Sequence, residues 1–155
     1  MNTNLMFSSQ TDQWATPIDF FNMLNSIYYF TLDPCADEYN HKCPKYYTKE
    51  QNGLLQDWSS EIVFCNPPYG REIYNWVEKC WYESTYHNAI CVMLIPARTD
   101  TRYFHNFIYN NRNAEVYFIK GRLKFGNSNN AAPFPSMVVV FKNNIRMCNM
   151  VRKEY

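Results

Sequence analysis

The residues best suited to chemistry stand together at Asn66-Pro67-Pro68-Tyr69, behind the apolar run Ile62-Val63-Phe64-Cys65 and ahead of Gly70. Two consecutive prolines have no backbone N–H and a φ held at about −65°, so the turn offers carbonyl oxygens without donors competing for them. Asn66 adds a side-chain carbonyl, and Tyr69 adds a flat π-face. An exocyclic aryl amine fits such a surface. Its lone pair is delocalised into the ring, and two acceptors on its hydrogens favour a pyramidal nitrogen that attacks an electrophilic methyl group. In that scheme Asn66 and the Pro67 carbonyl hold the amine, Pro68 fixes the turn, and Tyr69 stacks on the base through its ring. No general base of tuned pKa is essential. The same residues also allow a plainer reading, a stiff Pro-Pro loop with Asn as turn former and Tyr as packing.

Asn-Pro-Pro-Tyr after a strand resembles the catalytic motif of S-adenosylmethionine-dependent amino-methyltransferases, especially those acting on adenine N6. Other segments are similar to the phage-type DNA N6-adenine methyltransferase (Dam) family: Leu32-Asp33-Pro34-Cys35-Ala36, Asn40-His41-Lys42-Cys43, Tyr46-Tyr47-Thr48, Gly53-Leu54 with Trp58, Pro96 to Thr101, and Gly121 to Phe125. The resemblance covers most of the chain. It departs from the wider methyltransferase pattern after the first strand, where Cys35-Ala36-Asp37 replaces the usual glycine-rich turn. What it implies is a reduced Rossmann-like α/β fold, a mainly parallel sheet flanked by helices, with an antiparallel member among the last strands. It further implies methyl transfer from S-adenosylmethionine to adenine N6 in DNA, with the target base flipped out of the duplex. Trp14, Thr16 and Pro17, in a Trp-x-Thr-Pro segment, then belong to the cofactor's methionine end. Asp33, Pro34, Cys35, Asp57 and Asn66 complete the candidate cofactor contacts. The motif alone leaves open an RNA base, a protein glutamine amide, or a DNA-binding relative without catalysis; the intact Asn66-Pro67-Pro68-Tyr69 argues against the last.

Charge favours DNA among these. Net charge is only +1, yet residues 1–95 hold five Lys/Arg against eleven Asp/Glu, a charge of −6, and residues 96–155 hold ten against three, +7. Such segregation suits a phosphate-binding face beside an acidic body. Arg71, Arg98, Lys120, Arg122 and Lys124 are the candidate phosphate or base contacts. Aromatic residues make up 18% of the chain, enough for both a core and base stacking. Six cysteines include no Cys-x-x-Cys pair, and Cys35, His41 and Cys43 match no zinc spacing, so neither a disulfide framework nor a metal is expected. The longest apolar run, Ala89 to Ala97, is about half of the ~20 residues a membrane span needs, and no basic start precedes an apolar run at the N-terminus. A soluble, cytoplasmic protein of a bacterial host is expected.

The elements that must position these residues follow from periodicity. Residues 1–13 are polar and read as a flexible arm, and 14–155 as one methyltransferase domain. Thr16 is placed as a helix N-cap, Pro17 as first helical residue and Asp19 as third, with Ile18, Phe21, Leu24 and Tyr28 as the apolar face. Tyr29 to Leu32 is β-prone and leads into Asp33-Pro34, at the strand end where ligands bind in open α/β sheets. Only 28 residues separate Asp33 from Ile62, too few for two further strand–helix units, so the sheet is abbreviated. Ile73, Trp76, Val77, Cys80 and Trp81 keep helical spacing. Ala89 to Ile95 reads as a strand covered on both faces. Asp100 or Thr99 caps a helix carrying Phe104, Phe107 and Ile108. Strands follow at Ala114 to Ile119 and Met137 to Phe141. Between them Lys120, Arg122 and Lys124 alternate with Gly121, Leu123 and Phe125, which in a strand puts the cations on one face.

Overall fold

The computed structural model describes residues 14–144; the expected arm at 1–13 and the stretch 145–155 lie outside the described residues. In chain order the elements are α1 (Ile18–Tyr28), β1 (Leu32–Asp33), β2 (Lys45–Tyr46), a 3₁₀ turn (Gly53–Leu55), β3 (Ile62–Cys65), α2 (Ile73–Tyr86), β4 (Ile90–Pro96), a π-helical turn (Phe104–Ile108), β5 (Ala114–Phe118) and β6 (Ser136–Phe141). They form one six-stranded sheet in the order β2-β1-β3-β4-β6-β5. The β2, β1, β3 and β4 strands run parallel, and β6 is antiparallel to both β4 and β5. This is the mainly parallel α/β sheet, with an antiparallel member late in the chain, that the family resemblance implies.

Side-chain alternation explains why β3, β4 and β6 read as almost unbroken apolar runs. On one face Val63, Cys65, Cys91, Met93, Ile95, Met137, Val139 and Phe141 pack under α2, through Ile73, Trp76, Val77 and Cys80, and under Phe104, Phe107 and Ile108 of the π-helical turn. On the other, Phe64, Val92, Leu94, Val138 and Val140 meet Phe21 and Leu24 of α1 together with Phe125 and Phe134. Both faces are covered, so neither set of alternating positions can be polar. The β3–β4 register, Val63 opposite Cys91 and Cys65 opposite Met93, places the end of β3 level with the interior of β4. Asn66 therefore leaves the sheet from its most buried part.

Several elements differ from the sequence expectation. Tyr29 ends α1 in the left-handed region at φ 57°, and Asn25 Oδ1 accepts the Phe30 N–H at 2.9 Å, so the β-prone run closes a helix and β1 keeps two residues. Ile18 is 58% exposed and does not join the apolar face of α1. The edge strand β2 has no sequence signal, because two residues beside a proline carry no period. No side chain caps the turn after Arg98; Thr101 donates to the Arg98 carbonyl at 2.9 Å, and the Tyr109 N–H reaches back five residues to Phe104 at 2.7 Å. The strand β5 stops at Phe118, and Gly121 at φ +77° turns the chain, so Lys120, Arg122 and Lys124 do not share a strand face. All three are exposed, and only Arg122 to Phe125 keep the alternation, with Leu123 half-buried and Phe125 buried.

The floor beside β1 rests on Gly53. Its backbone lies against Pro34 so closely that a Cβ there would stand 2.1 Å from the Pro34 carbonyl oxygen and 3.2 Å from the Trp76 ring. The Trp58 indole holds the same turn by donating to the Gly53 carbonyl at 3.0 Å. Lys79 of α2 adds a bond to the Gln56 carbonyl at 2.8 Å, and is itself paired with the buried Glu83. Gly53→Ala must push two backbones apart, and overpacking of this kind costs about 1–3 kcal/mol. Urea unfolding should show that loss as a lower midpoint; an unchanged midpoint would mean that the Pro34 segment yields freely.

Candidate active site

The chain leaves β1 to form β2 on one side, then returns past β1 to form β3 on the other. Where connections diverge in this way the strand ends open into a crevice. A cavity of about 920 Å³ lies there. Asp33, Pro34 and Cys35 line it from the end of β1, Asn66, Pro67 and Pro68 from the end of β3, and Trp14, Ala15 and Thr16 from the segment before α1. A second cavity of about 350 Å³ is lined by Tyr69, Ile73, Pro96, Arg98, Thr101 and Tyr103; Gly70 and Arg71 line both.

Asn66 occupies the junction of these parts. Its amide nitrogen donates to the Trp14 carbonyl and, at 2.9 Å, to the Thr16 hydroxyl. Its Oδ1 accepts from the Tyr69 hydroxyl at 2.7 Å, and that hydroxyl also lies 3.0 Å from the Leu94 carbonyl. One phenolic hydrogen serves one of the two acceptors at a time. Burial pushes the Tyr69 phenol well above its ordinary pKa, so it stays a neutral donor. The sequence reading used only the ring of Tyr69. The structure also engages the hydroxyl, and sets the ring edge-on to Phe134 at 5.5 Å and Phe125 at 6.3 Å. Trp14 meets the same two rings at 5.2 and 5.7 Å. Phe134 and the Thr16–Asn66 bond escaped the sequence reading, since neither leaves a local pattern.

Thr16 is not the helix cap expected of it. Pro17 holds the N-cap position with no side-chain cap bond, and the buried Thr16 hydroxyl turns to Asn66 instead. Pro17 itself does not line the cavity.

Asp33 is 4% exposed, and its two oxygens accept the backbone N–H groups of Lys42 at 2.9 Å and Cys35 at 3.4 Å. It thereby ties down both ends of the loop that walls the cavity. Burial raises its carboxyl above the usual range, against the lowering effect of those two N–H groups. Burial likewise pushes the Cys35 thiol far up, with Cys65, Asp33 and Glu72 adding to it, so Cys35 lines the cavity as a neutral thiol and not as a nucleophile. Asp57 does not line the cavity: it is exposed and accepts from Ser59, a turn-forming pattern that also lowers its carboxyl. Among the exposed cations Arg71 lines both cavities and Arg98 the second, whereas Lys120, Arg122 and Lys124 line neither. Arg122 donates to the Ala132 carbonyl at 3.3 Å, and Gly126 N–H to the Ala15 carbonyl at 2.8 Å, so the basic segment is fastened beside the Trp14 side of the site.

A raised carboxyl pKa has a defined sign in stability. The folded state then binds the proton more tightly than the unfolded state, so Asp33's contribution is fullest below the ordinary aspartate pKa and is lost as pH rises through the folded value. The stability of the wild type relative to Asp33→Asn should therefore fall from about pH 4 upward. Urea midpoints of both proteins across that range test this, and a difference that stays flat or grows with pH contradicts it.

Residues 3–154 match the family described as DNA N-6-adenine-methyltransferase (Dam). A DNA N-6-adenine-methyltransferase of Haemophilus phage HP1 is 32% identical over 141 residues, covering 86% of this chain and 80% of that protein. Another, of Escherichia phage T1, is 36% identical over 115 residues, covering 72% of this chain and 46% of that protein. With the sheet order, the crevice at the ends of β1 and β3 and a match across nearly its whole length, the chain belongs to the DNA N-6-adenine-methyltransferase (Dam) family.

Proposed function

We propose that this chain carries out its family's reaction, methylation of adenine N6 in DNA, with S-adenosylmethionine as methyl donor in the larger cavity and Asn66-Pro67-Pro68-Tyr69 as the catalytic turn. The observation that carries the reading is the position of Asn66: an amide at the carboxyl end of β3, in the wall of the crevice, with its oxygen on the Tyr69 side.

The larger cavity suits the donor. At about 920 Å³ it lies within the range of small-molecule pockets. Trp14, Pro34, Leu54, Phe64 and Trp76 give it apolar walls, while Asp33, Asp37, Glu50 and Glu72 supply acceptors for amino and hydroxyl groups. The Trp76 indole Nε1 is buried without a hydrogen-bond partner among the described residues, in a residue that lines the same cavity. Such orphan donors cost about 1–3 kcal/mol unless a ligand or water satisfies them. When bound, S-adenosylmethionine supplies an electrophilic methyl group on a sulfonium sulfur. Trp14, Asp33, Pro34 and Cys35 are the residues proposed to hold it; Thr16 lines the same wall with its hydroxyl turned to Asn66.

The remaining steps belong to the turn. Adenine inside a duplex is stacked and paired, so it must be extruded to reach Asn66. The second cavity, with Tyr69 in its wall and Arg71 and Arg98 at its rim, adjoins the first at Gly70 and Arg71 and is the proposed approach for the extruded nucleotide. Asn66 Oδ1 and the Pro67 carbonyl hold the two N6 hydrogens and draw the lone pair out of the ring plane. The prolines keep competing donors away. After the transfer N6 carries one proton too many, which neither amide oxygen is basic enough to keep and which passes to solvent. Exposed Lys120, Arg122 and Lys124 serve the phosphate backbone.

Labelled cofactor offered with DNA, RNA and protein tests the reading: label should enter DNA at N6 of adenine, and label in RNA or protein alone would replace it. Asn66→Ala should lower the rate about 10²–10³-fold, by analogy with loss of a preorganised oxyanion donor, and leave cofactor affinity less affected. A variant with near-normal rate would remove Asn66 from the chemistry. DNA affinity at several salt concentrations tests the basic segment: Lys124→Ala should weaken binding and reduce the log–log salt slope by about 1. An unchanged slope there and in Arg122→Ala would place the phosphate contacts elsewhere.

A further inference from the structure

We infer that Thr16 is a positioning residue: the Trp14 carbonyl, which can only accept, fixes which end of the Asn66 amide faces the target amine, and the buried Thr16 hydroxyl holds the amide in place beside it. The inference rests on the reading of Asn66 as an acceptor given above.

The two ends of a side-chain amide have nearly the same shape and opposite hydrogen bonding, so a half-turn exchanges acceptor for donor at almost no steric cost. An amide that presented its NH₂ to adenine N6 would set donor against donor. Something must therefore fix the orientation, and the surroundings of Asn66 do so from behind. Its nitrogen faces the Trp14 carbonyl, which can only accept, and the Thr16 hydroxyl at 2.9 Å, which accepts from it here. After a half-turn Oδ1 would oppose the Trp14 carbonyl with no hydrogen between them. The Tyr69 hydroxyl could follow the turn by donating to the Leu94 carbonyl at 3.0 Å, so it does not set the orientation by itself.

Two further observations separate this role from packing or capping. Thr16 is 5% exposed and leaves α1 without a side-chain cap, so its hydroxyl is spent on Asn66 and not on the helix that follows. The segment carrying it is held from its other side: the Trp14 ring lies edge-on to Phe125 and Phe134, and the Gly126 N–H donates to the Ala15 carbonyl at 2.8 Å. The acceptor pair is thus part of a fixed wall. It reaches the catalytic turn across 50 residues of sequence.

Thr16→Val keeps the shape and removes the hydroxyl, and Thr16→Ser restores it. The valine variant should lose about threefold to tenfold in single-turnover rate on adenine-containing DNA, the effect of one neutral hydrogen bond. Its calorimetric affinity for S-adenosylmethionine should match the wild type, and the serine variant should recover the rate. In an Asn66→Ala background Thr16→Val should cost nothing further, because the amide it holds is gone. The Asn66 side-chain amide resonances give a readout independent of turnover: they should shift and exchange faster with solvent in the valine variant than in wild type or serine. A full rate in the valine variant, a loss confined to cofactor affinity, or an additive loss in the Asn66→Ala background would each overturn the role. Absence of adenine methylation by the wild type would overturn the functional reading instead, and the amide resonances would then decide the orientation on their own.

Discussion

The Asn66 amide binds groups from three places in the chain: the Trp14 carbonyl and Thr16 hydroxyl on its nitrogen, and the Tyr69 hydroxyl on its oxygen. Its position is inherited from β3, whose Val63, Phe64 and Cys65 are buried on alternating faces between β1 and β4. A strand packed on both sides has little freedom to shift, so the residue after it is set by the core. The partners on the other side are fixed differently. Trp14 and Tyr69 share Phe125 and Phe134 as neighbours, so one aromatic cluster holds the segment before α1, the Asn66-Pro67-Pro68-Tyr69 turn and the start of the polar loop together. Remove the sheet and Asn66 is an ordinary turn former. Remove the amide and, among the described residues, the segment before α1 is left with its ring contacts and the bond from Gly126.

The same division accounts for what was legible in the sequence. β3, β4 and β6 were readable as unbroken apolar runs because both of their faces are buried, and α2 because burial of one face imposes a period: Ile73, Trp76, Val77 and Cys80 all face the sheet as their spacing requires. β2, the helix end at Tyr29 and the π-helical turn were not, since each is two to a few residues long and owes its shape to a tertiary partner. In the site, Asn66-Pro67-Pro68-Tyr69 stood out because proline and asparagine each bring chemistry that few other residues supply. Thr16 was visible as a polar residue before a helix, but a local pattern cannot distinguish a cap from a bond to a residue 50 positions away. Asp33 and Asp57 show the converse. Both precede a turn and both accept backbone N–H groups, yet Asp33 is buried in the crevice wall and Asp57 is exposed on the surface. Their sequences differ too little to reveal that.

Charge gives the site a direction. The larger cavity is lined by four carboxylates, Asp33, Asp37, Glu50 and Glu72, against the cations Lys42, Lys49 and Arg71, a balance that offers a polyanion no advantage. The smaller cavity has Arg71 and Arg98 in its lining and no carboxylate. Lys120, Arg122 and Lys124 stand exposed on the segment fastened to Ala15, and belong to the half of the chain whose charge is +7. Charges of one sign gathered at one mouth raise the local concentration of the opposite sign over about 10 Å at ordinary ionic strength. The two cavities meet at Gly70 and Arg71, directly after the Asn66-Pro67-Pro68-Tyr69 turn. The stiff turn lies where the two must touch. What the turn presents there is an acceptor, Asn66 Oδ1, whose aim is set by the bonds that the amide nitrogen makes to the Trp14 carbonyl and the Thr16 hydroxyl.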